Sequence, residues 1–208
     1  MQIFKKNKKL RAVKQQVTVF YKSKFTVVGT PTISENGIAS NFAKNSYATG
    51  ASIPLSTAKS FSVKCRLKTP KEEDSPYINT YWWLSNNCYL CAYNAASLCV
   101  FNTVGIKGTG YRLFEYEKDT LYDVEYTSDI ENNQQTLVYT KVYDGTTHTA
   151  TSNHTFEWAD ATLRIGVWGE YAMDYGNIDL SKLSVKVDGV EVFAGTKTTK
   201  KLFAVNEE

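Results

Sequence analysis

Over most of its length the chain alternates apolar and polar positions with a period of two. Phe61, Val63, Cys65 and Leu67 take turns with Ser62, Lys64, Arg66 and Lys68. Neighbouring side chains on a strand point to opposite faces, so this segment has one buried and one wetted face. Tyr122, Val124, Tyr126 and Ile130 repeat the pattern against Asp123, Glu125, Asp129 and Glu131. Asn132–Asn133 then turns the chain, and Gln135–Tyr143 returns as the partner strand. Leu163, Ile165 and Val167 alternate with Arg164 and Gly166. Towards the end, Leu183, Val185 and Val187 alternate with Ser184, Lys186 and Asp188. Asp188–Gly189 predicts a tight hairpin into Val190–Phe193, and Asp144–Gly145 a further turn, because these residues tolerate a positive φ. The apolar parity changes between Leu180 and Leu183, which predicts a bulge near Ser181–Lys182. Tyr77–Leu84 and Tyr89–Phe101 are apolar on both parities and suit central strands, with Asn94–Ser97 as a turn inside the second.

No amphipathic helix of ten residues or more follows residue 25. About a dozen short strands separated by turns make a sandwich or a barrel. The expected fold is all-β: a two-sheet antiparallel jelly-roll sandwich. A length of 208 residues suits one such domain, and 42% hydrophobic residues suffice for its core. Aromatics make up 13%, and rings favour pleated, half-buried surfaces.

Charge divides the chain. Residues 1–24 carry eight basic residues and no acidic one, leaving 16 of the 24 basic and all 21 acidic residues beyond them. An arm of +8 therefore precedes a body of −5. The division is a basic arm over 1–24, a jelly roll over 25–195 and a polar tail over 196–208 that trails off or packs on a neighbour. Lys5, Lys6, Lys8, Lys9, Arg11 and Lys14 are the anchoring candidates in the arm, facing an anionic surface or a neighbouring subunit. The basic run Lys5–Lys14 lacks aromatics to stack on bases, so only non-specific nucleic-acid contact is expected of it. Val17–Val28 is strand-like and suited to adding to a sheet edge. Val17–Tyr21 is too short for the apolar core of a secretory signal, and no run reaches the ~20 apolar residues of a membrane span. The expectation is synthesis in the cytoplasm with no membrane partner. Cys65, Cys88, Cys91 and Cys99 are then expected as buried free thiols, because a spacing of three puts Cys88 and Cys91 on opposite faces of a strand.

Three phrases resemble the closing strands of a known family. They are Leu163-Arg164-Ile165-Gly166-Val167-Trp168, Gly176-Asn177-Ile178-Asp179-Leu180, and Val185-Lys186-Val187-Asp188-Gly189-Val190-Glu191-Val192-Phe193. Together with Gly37–Phe42, Ile53–Leu67 and the hairpin around Leu121–Tyr126 and Leu137–Tyr139, they resemble concanavalin A-like, laminin-G-like jelly rolls. The variants they are most similar to are found in phage virion proteins: fibres, tail-associated proteins and capsid decorations. The resemblance implies glycan or protein binding, calcium in some members, or pure architecture. Its implied partners are other virion proteins in a homo- or hetero-oligomer, and its implied place is a virion assembled in the host cytoplasm.

Enzymes on this fold that cut β-glucans carry carboxylates at alternate positions of one strand, which projects acid and nucleophile from one face. Asp123, Glu125, Asp129 and Glu131 share a face, but Thr127 interrupts them, and the expectation is a solvated acidic face on an outer strand. No nucleophile elbow, zincin helix or phosphate loop is present in the sequence. No catalytic residue, metal ligand or cofactor is therefore assigned. His148 and His154 are expected as exposed polar residues. A glycan site needs an aromatic platform beside hydrogen-bonding loop residues. Trp168, Tyr171, Asp174, Tyr175 and Asn177 have that composition, and Tyr81–Trp83 forms a second aromatic cluster with one ring in the core. Calcium would draw on Asp174 and Asp179. Three functions follow: a non-enzymatic virion structural protein, a lectin-like carbohydrate-binding module, and a glucanase-like hydrolase as the remote one.

Overall fold

A computed structural model describes residues 10–20, 25–30, 32–34, 37–39, 47–69, 79–84, 88–93, 97–102, 111–117, 119–153, 158–166 and 177–206. These form seventeen strands and no helix. The first six are β1 (Leu10–Phe20), β2 (Thr26–Val28), β3 (Thr32–Ser34), β4 (Gly37–Ala39), β5 (Tyr47–Ile53) and β6 (Ser60–Lys68). The middle of the chain adds β7 (Asn79–Leu84), β8 (Cys88–Tyr93), β9 (Ser97–Asn102), β10 (Tyr111–Glu115), β11 (Leu121–Asp129) and β12 (Gln134–Lys141). Then come β13 (Thr147–Asn153), β14 (Ala161–Gly166), β15 (Asn177–Val187), β16 (Val190–Ala194) and β17 (Thr196–Asn206).

Two antiparallel sheets carry the fold. One has six strands in the order β13-β12-β11-β6-β15-β16; the other has seven, β10-β9-β8-β7-β14-β5-β2. The period of two read from the sequence decides which residues meet. Along β6 every second residue, Phe61, Val63, Cys65 and Leu67, is buried. Its neighbour β11 runs antiparallel from Leu121 opposite Lys68 to Asp129 opposite Ser60, so Tyr122, Val124 and Tyr126 are buried on the same side. The seven-stranded sheet answers with Trp82, Leu84, Leu90, Leu163 and Ile165, each fully enclosed. Rings stitch the layers together: Trp82 lies 5.5 Å from Tyr126, and Phe61 lies 5.8 Å from Trp158. Each enclosed large side chain contributes about 1.5–3 kcal/mol through apolar burial.

The turns predicted at Asn132–Asn133, Asp144–Gly145 and Asp188–Gly189 are present, while Asn94–Ala96 of the other predicted turn lie outside the described residues. Asp188 and Gly189 take φ of 48° and 77° between β15 and β16, the double positive φ of a two-residue hairpin. Asn133 turns β11 into β12 at φ 53°, and Gly145 takes φ 75° before β13. The parity change is a real irregularity, because the pairing of β15 with β6 shifts between Asp179 and Ser184. That shift returns both Leu180 and Leu183 to the interior. A second shift, between Thr80 and Trp82 against β8, falls where the adjacent Tyr81 and Trp82 are both buried.

Among the described residues the two terminal segments pair with each other. Leu10–Phe20 and Thr196–Asn206 pair antiparallel from Leu10 opposite Asn206 to Phe20 opposite Thr196, as a two-stranded ribbon outside both main sheets. Two segments 176 positions apart carry no local signal of pairing, which is why each reads alone as an arm or a tail.

Candidate functional site

Most of the predicted glycan residues, Trp168, Tyr171, Asp174 and Tyr175, lie outside the described residues. Asn177 opens β15 opposite Lys68. Of the anchoring residues, Lys5, Lys6, Lys8 and Lys9 lie outside the described residues, while Arg11 and Lys14 sit in β1 opposite Val205 and Leu202. The β17 strand adds Lys197, Lys200 and Lys201, so the ribbon's two strands hold five basic residues and no acidic one.

The acidic face of β11 corrects the sequence reading in one respect. The strand is interior to its sheet, between β12 and β6, and its carboxylates are answered by cations from across the ladder. Asp123 accepts both guanidinium N–H groups of Arg66, at 2.7 and 2.8 Å. Glu125 meets Lys64 at 2.9 Å, and Glu131 meets Lys59 at 3.0 Å. Opposite charges facing each other across strands stabilise the pairing. Asp129 instead accepts the backbone N–H and the side-chain amide of Asn132, closing the following turn.

No group of three or more metal-ligating side chains converges among the described residues. Asp179 accepts the N–H and the hydroxyl of Ser181 at 2.9 and 2.6 Å, a local bond across the bulge. Cys65 and Cys88 are buried free thiols, and burial pushes each up to about 12. Cys91 and Cys99 are register partners on β8 and β9.

One concave place gathers aromatic and polar groups together. It opens where the edge strand β13 of one sheet comes near the end of β10, the edge of the other. This cleft of about 280 Å³ is lined by Tyr116, Glu117, Tyr122, Tyr139, Lys141, Asp144, Thr146 and His148. Register builds its wall: Tyr139 of β12 sits opposite His148 of β13, and their rings stack at 4.8 Å and 10°. Tyr122 packs edge-on against Tyr139 at 5.7 Å. Burial, then the neighbouring Tyr122, pushes the Tyr139 hydroxyl up to about 12, so Tyr139 stays a neutral phenol at ordinary pH. The Glu117 N–H donates to the Tyr122 hydroxyl at 2.9 Å, fixing the loop after β10 against the wall.

The floor of charge is also fixed. Lys141 donates to Glu117 at 2.6 Å and lies 3.5 Å from Asp144. The Thr146 N–H donates to Asp144 at 2.9 Å, which holds the Asp144 carboxyl below its ordinary value. Beside it, at the tip of the turn, Tyr143 is 91% exposed, with Leu121 and Val142 as exposed apolar neighbours joined by the Val142 N–H to Leu121 carbonyl bond. The sequence reading missed this place. Tyr143-Asp144-Gly145-Thr146 has the same aromatic–acid–glycine composition that singled out Tyr171–Asn177, and it was spent on predicting a turn.

No protein-family model matches the sequence, and no curated protein matches it. Solved structures match the fold. A basic winged bean lectin, solved with Tn antigen, superposes with a TM-score of 0.54 at 11% identity, over 86% of this chain and 100% of that one. Arcelin-5, a lectin-like defence protein from Phaseolus vulgaris, gives 0.51 at 11% identity over 91% and 99%. The full-length tailspike protein 2 of an Escherichia coli bacteriophage gives 0.51 at 11% identity over 79% of this chain and 25% of that one. At such identity the likeness is one of fold: a lectin-like jelly-roll sandwich.

Proposed function

We propose that the chain is a non-enzymatic structural protein of a phage virion, a displayed or packed jelly roll tied to the particle through its paired ends. The observation that carries this reading is the ribbon of β1 and β17. A two-stranded ribbon is marginal in water by itself. This one concentrates positive charge, belongs to neither main sheet, and runs for roughly 35 Å at strand rise with a backbone edge on either side. Such an element gains stability by docking on a neighbour. The occurrence of the same fold in a phage tailspike supports the setting. The test compares the full chain with one lacking residues 1–24 and with a Lys14→Glu, Lys200→Glu, Lys201→Glu variant. Both altered chains keep the sandwich's circular dichroism and are absent from purified particles. Normal incorporation of either would end the anchoring claim.

A second reading, a carbohydrate-binding module, is favoured by the cleft at the β13 edge, where flat rings and hydrogen-bonding groups share one concavity. Rings cover the apolar C–H face of a sugar, and carboxylate and hydroxyl groups take its hydroxyls. The measurement is binding of the folded full chain to a glycan array; silence across the array removes this reading and leaves the structural one. In both readings turnover chemistry is absent, and Glu125→Gln changes no glucan-hydrolysis rate.

A further inference from the structure

We infer that the cleft between the β13 edge and the loop after β10 takes a neutral sugar unit and rejects acidic ones, with His148 and Asp144 as its determinants. This rests on the carbohydrate-binding reading and names its site and ligand class. The inference starts from charge. Two carboxylates, Glu117 and Asp144, line the cleft against one ammonium, and that ammonium is engaged: Lys141 bonds Glu117 at 2.6 Å and faces Asp144 at 3.5 Å. Because Lys141 offsets only one of its two carboxylate neighbours, a carboxylate or phosphate entering the cleft gains little attraction there and meets a net negative charge. A hydroxyl donor meets the opposite situation. Each carboxylate has lone pairs left to accept, since an ionised carboxylate offers about four acceptor sites.

Shape agrees with charge. The stacked rings of Tyr139 and His148 form a wall, and Tyr139 is almost wholly enclosed while His148 is exposed. The accessible ring of the wall is thus the imidazole, held flat by the tyrosine behind it. The volume of about 280 Å³ falls just below the range of roughly 300–1,000 Å³ that holds drug-sized ligands, which suits one or two sugar units and not a long polymer. Asp144 and Thr146 of the same turn line the cleft beside the imidazole and supply its hydrogen-bonding side. Strand pairing on both sides of the turn fixes these groups before any ligand arrives: Lys141 N–H donates to the Thr146 carbonyl at 2.9 Å and Gly145 N–H to the Lys141 carbonyl at 2.9 Å. Little ordering cost then opposes binding.

The experiment presents the full chain with immobilised neutral sugars (glucose, galactose, mannose and N-acetylglucosamine, as mono- and disaccharides) and with glucuronic and sialic acids. It measures affinity for the best ligand by calorimetry. His148→Ala is an exposed substitution that leaves folding intact, checked by melting. It is expected to weaken a neutral sugar about tenfold, the worth of one ring contact, while Tyr171→Ala and Asp174→Ala leave it unchanged. Asp144→Asn is expected to lose neutral-sugar affinity and to narrow the gap to the acidic sugars. Sugar binding that is lost with Tyr171→Ala or Asp174→Ala and untouched by His148→Ala and Asp144→Asn would overturn this site while keeping the carbohydrate reading. Preference for glucuronic or sialic acid would overturn the charge argument. No sugar binding by the full chain would overturn the inference together with the reading beneath it.

Discussion

Replacing Gly195 by alanine isolates one consequence of the β15 bulge. Gly195 follows β16, and its N–H donates to the Leu183 carbonyl at 2.9 Å, so the backbone here lies directly against the irregular stretch of β15. A β-carbon at Gly195 would stand 1.6 Å from the Leu180 carbonyl oxygen and 2.8 Å from its carbon. Close carbon–oxygen contacts in proteins settle near 3.3 Å, so the two backbones would have to part by roughly 1.5 Å. The atom in the way is main chain, not the end of a flexible side chain, and Leu180 itself is fully buried. Relief therefore means moving a core residue out of register or breaking the Gly195–Leu183 bond. Overpacking a well-filled site costs about 1–3 kcal/mol, and backbone collision belongs at the top of that range, about 3 kcal/mol or more. For a domain of this size that is a fall in Tm of roughly 6–12 °C.

Gly50 provides the control. A β-carbon there would meet the ring of Phe193 at 3.2 and 3.3 Å, the edge of a side chain that can give by a few tenths of an ångström. Alanine also narrows the unfolded ensemble, a gain of about 0.4–1 kcal/mol, so Gly50→Ala should lie within about 1 kcal/mol of the parent. Urea denaturation followed by tryptophan fluorescence measures both. A Gly195→Ala loss below about 1 kcal/mol, or an equal loss at Gly50, would refute the close approach at the bulge.

Three further expectations follow from the same geometry. Asp144, Asp160 and Asp188 are each held below 3.8, first by backbone N–H donors from Thr146, Ser56 and Ser60 respectively. With folded values below unfolded ones, they support the fold above pH 3.8 and withdraw that support as pH falls through their lowered values. Asp188→Asn should accordingly destabilise clearly at pH 6 and much less at pH 2–3 in urea midpoints; an equal loss at both would contradict the assignment. Cys65 and Cys88, pushed up to about 12 by burial, should resist iodoacetamide at pH 8 in the native chain and react once guanidinium unfolds it, read by peptide mass spectrometry. The Arg66–Asp123 pair is bidentate, but its side chains are 29% and 50% exposed. A double-mutant cycle should thus give a coupling under about 1 kcal/mol that shrinks in 0.5 M salt, and a larger salt-independent coupling would contradict this.

What the sequence disclosed depended on how local the cause was. Alternation in Phe61–Leu67 and Tyr122–Tyr126 named the buried face of β6 and β11 because pleating acts between adjacent residues. Asp188–Gly189 named a hairpin because two positive φ values in a row have few residue solutions. The parity slip at Leu180–Leu183 even located a bulge. Tyr81 and Trp82 were less legible, since both are buried at a bulge opposite β8 and adjacent aromatics look the same with or without it. The cleft was not legible. His148 reaches Tyr139 only through the register of β12 with β13, and Tyr116 and Glu117 come to them from the end of another sheet's edge strand. Two histidines in a threonine-rich stretch give no hint of which one will face a tyrosine ring.

Charge placement connects these local rules to the molecule's outward behaviour. Across the outer face of β6 and β11 the cations of Lys64 and Arg66 are matched to Glu125 and Asp123, and at the strand ends Lys59 and Lys68 are matched to Glu131 and Asp119. Opposite charges 2.5–3.0 Å apart cancel at a distance, so this face presents little field beyond a few ångströms. The ribbon strands differ in composition: they hold Arg11, Lys14, Lys197, Lys200 and Lys201 and no acidic residue. A net charge of +3 therefore hides an acidic sandwich and a basic extension. Attraction at long range belongs to the ribbon, while the cleft at the opposite kind of edge works only by contact. Raising the ionic strength should weaken assembly through the ribbon and leave uncharged ligands in the cleft untouched, because screening acts on the first and has nothing to act on in the second.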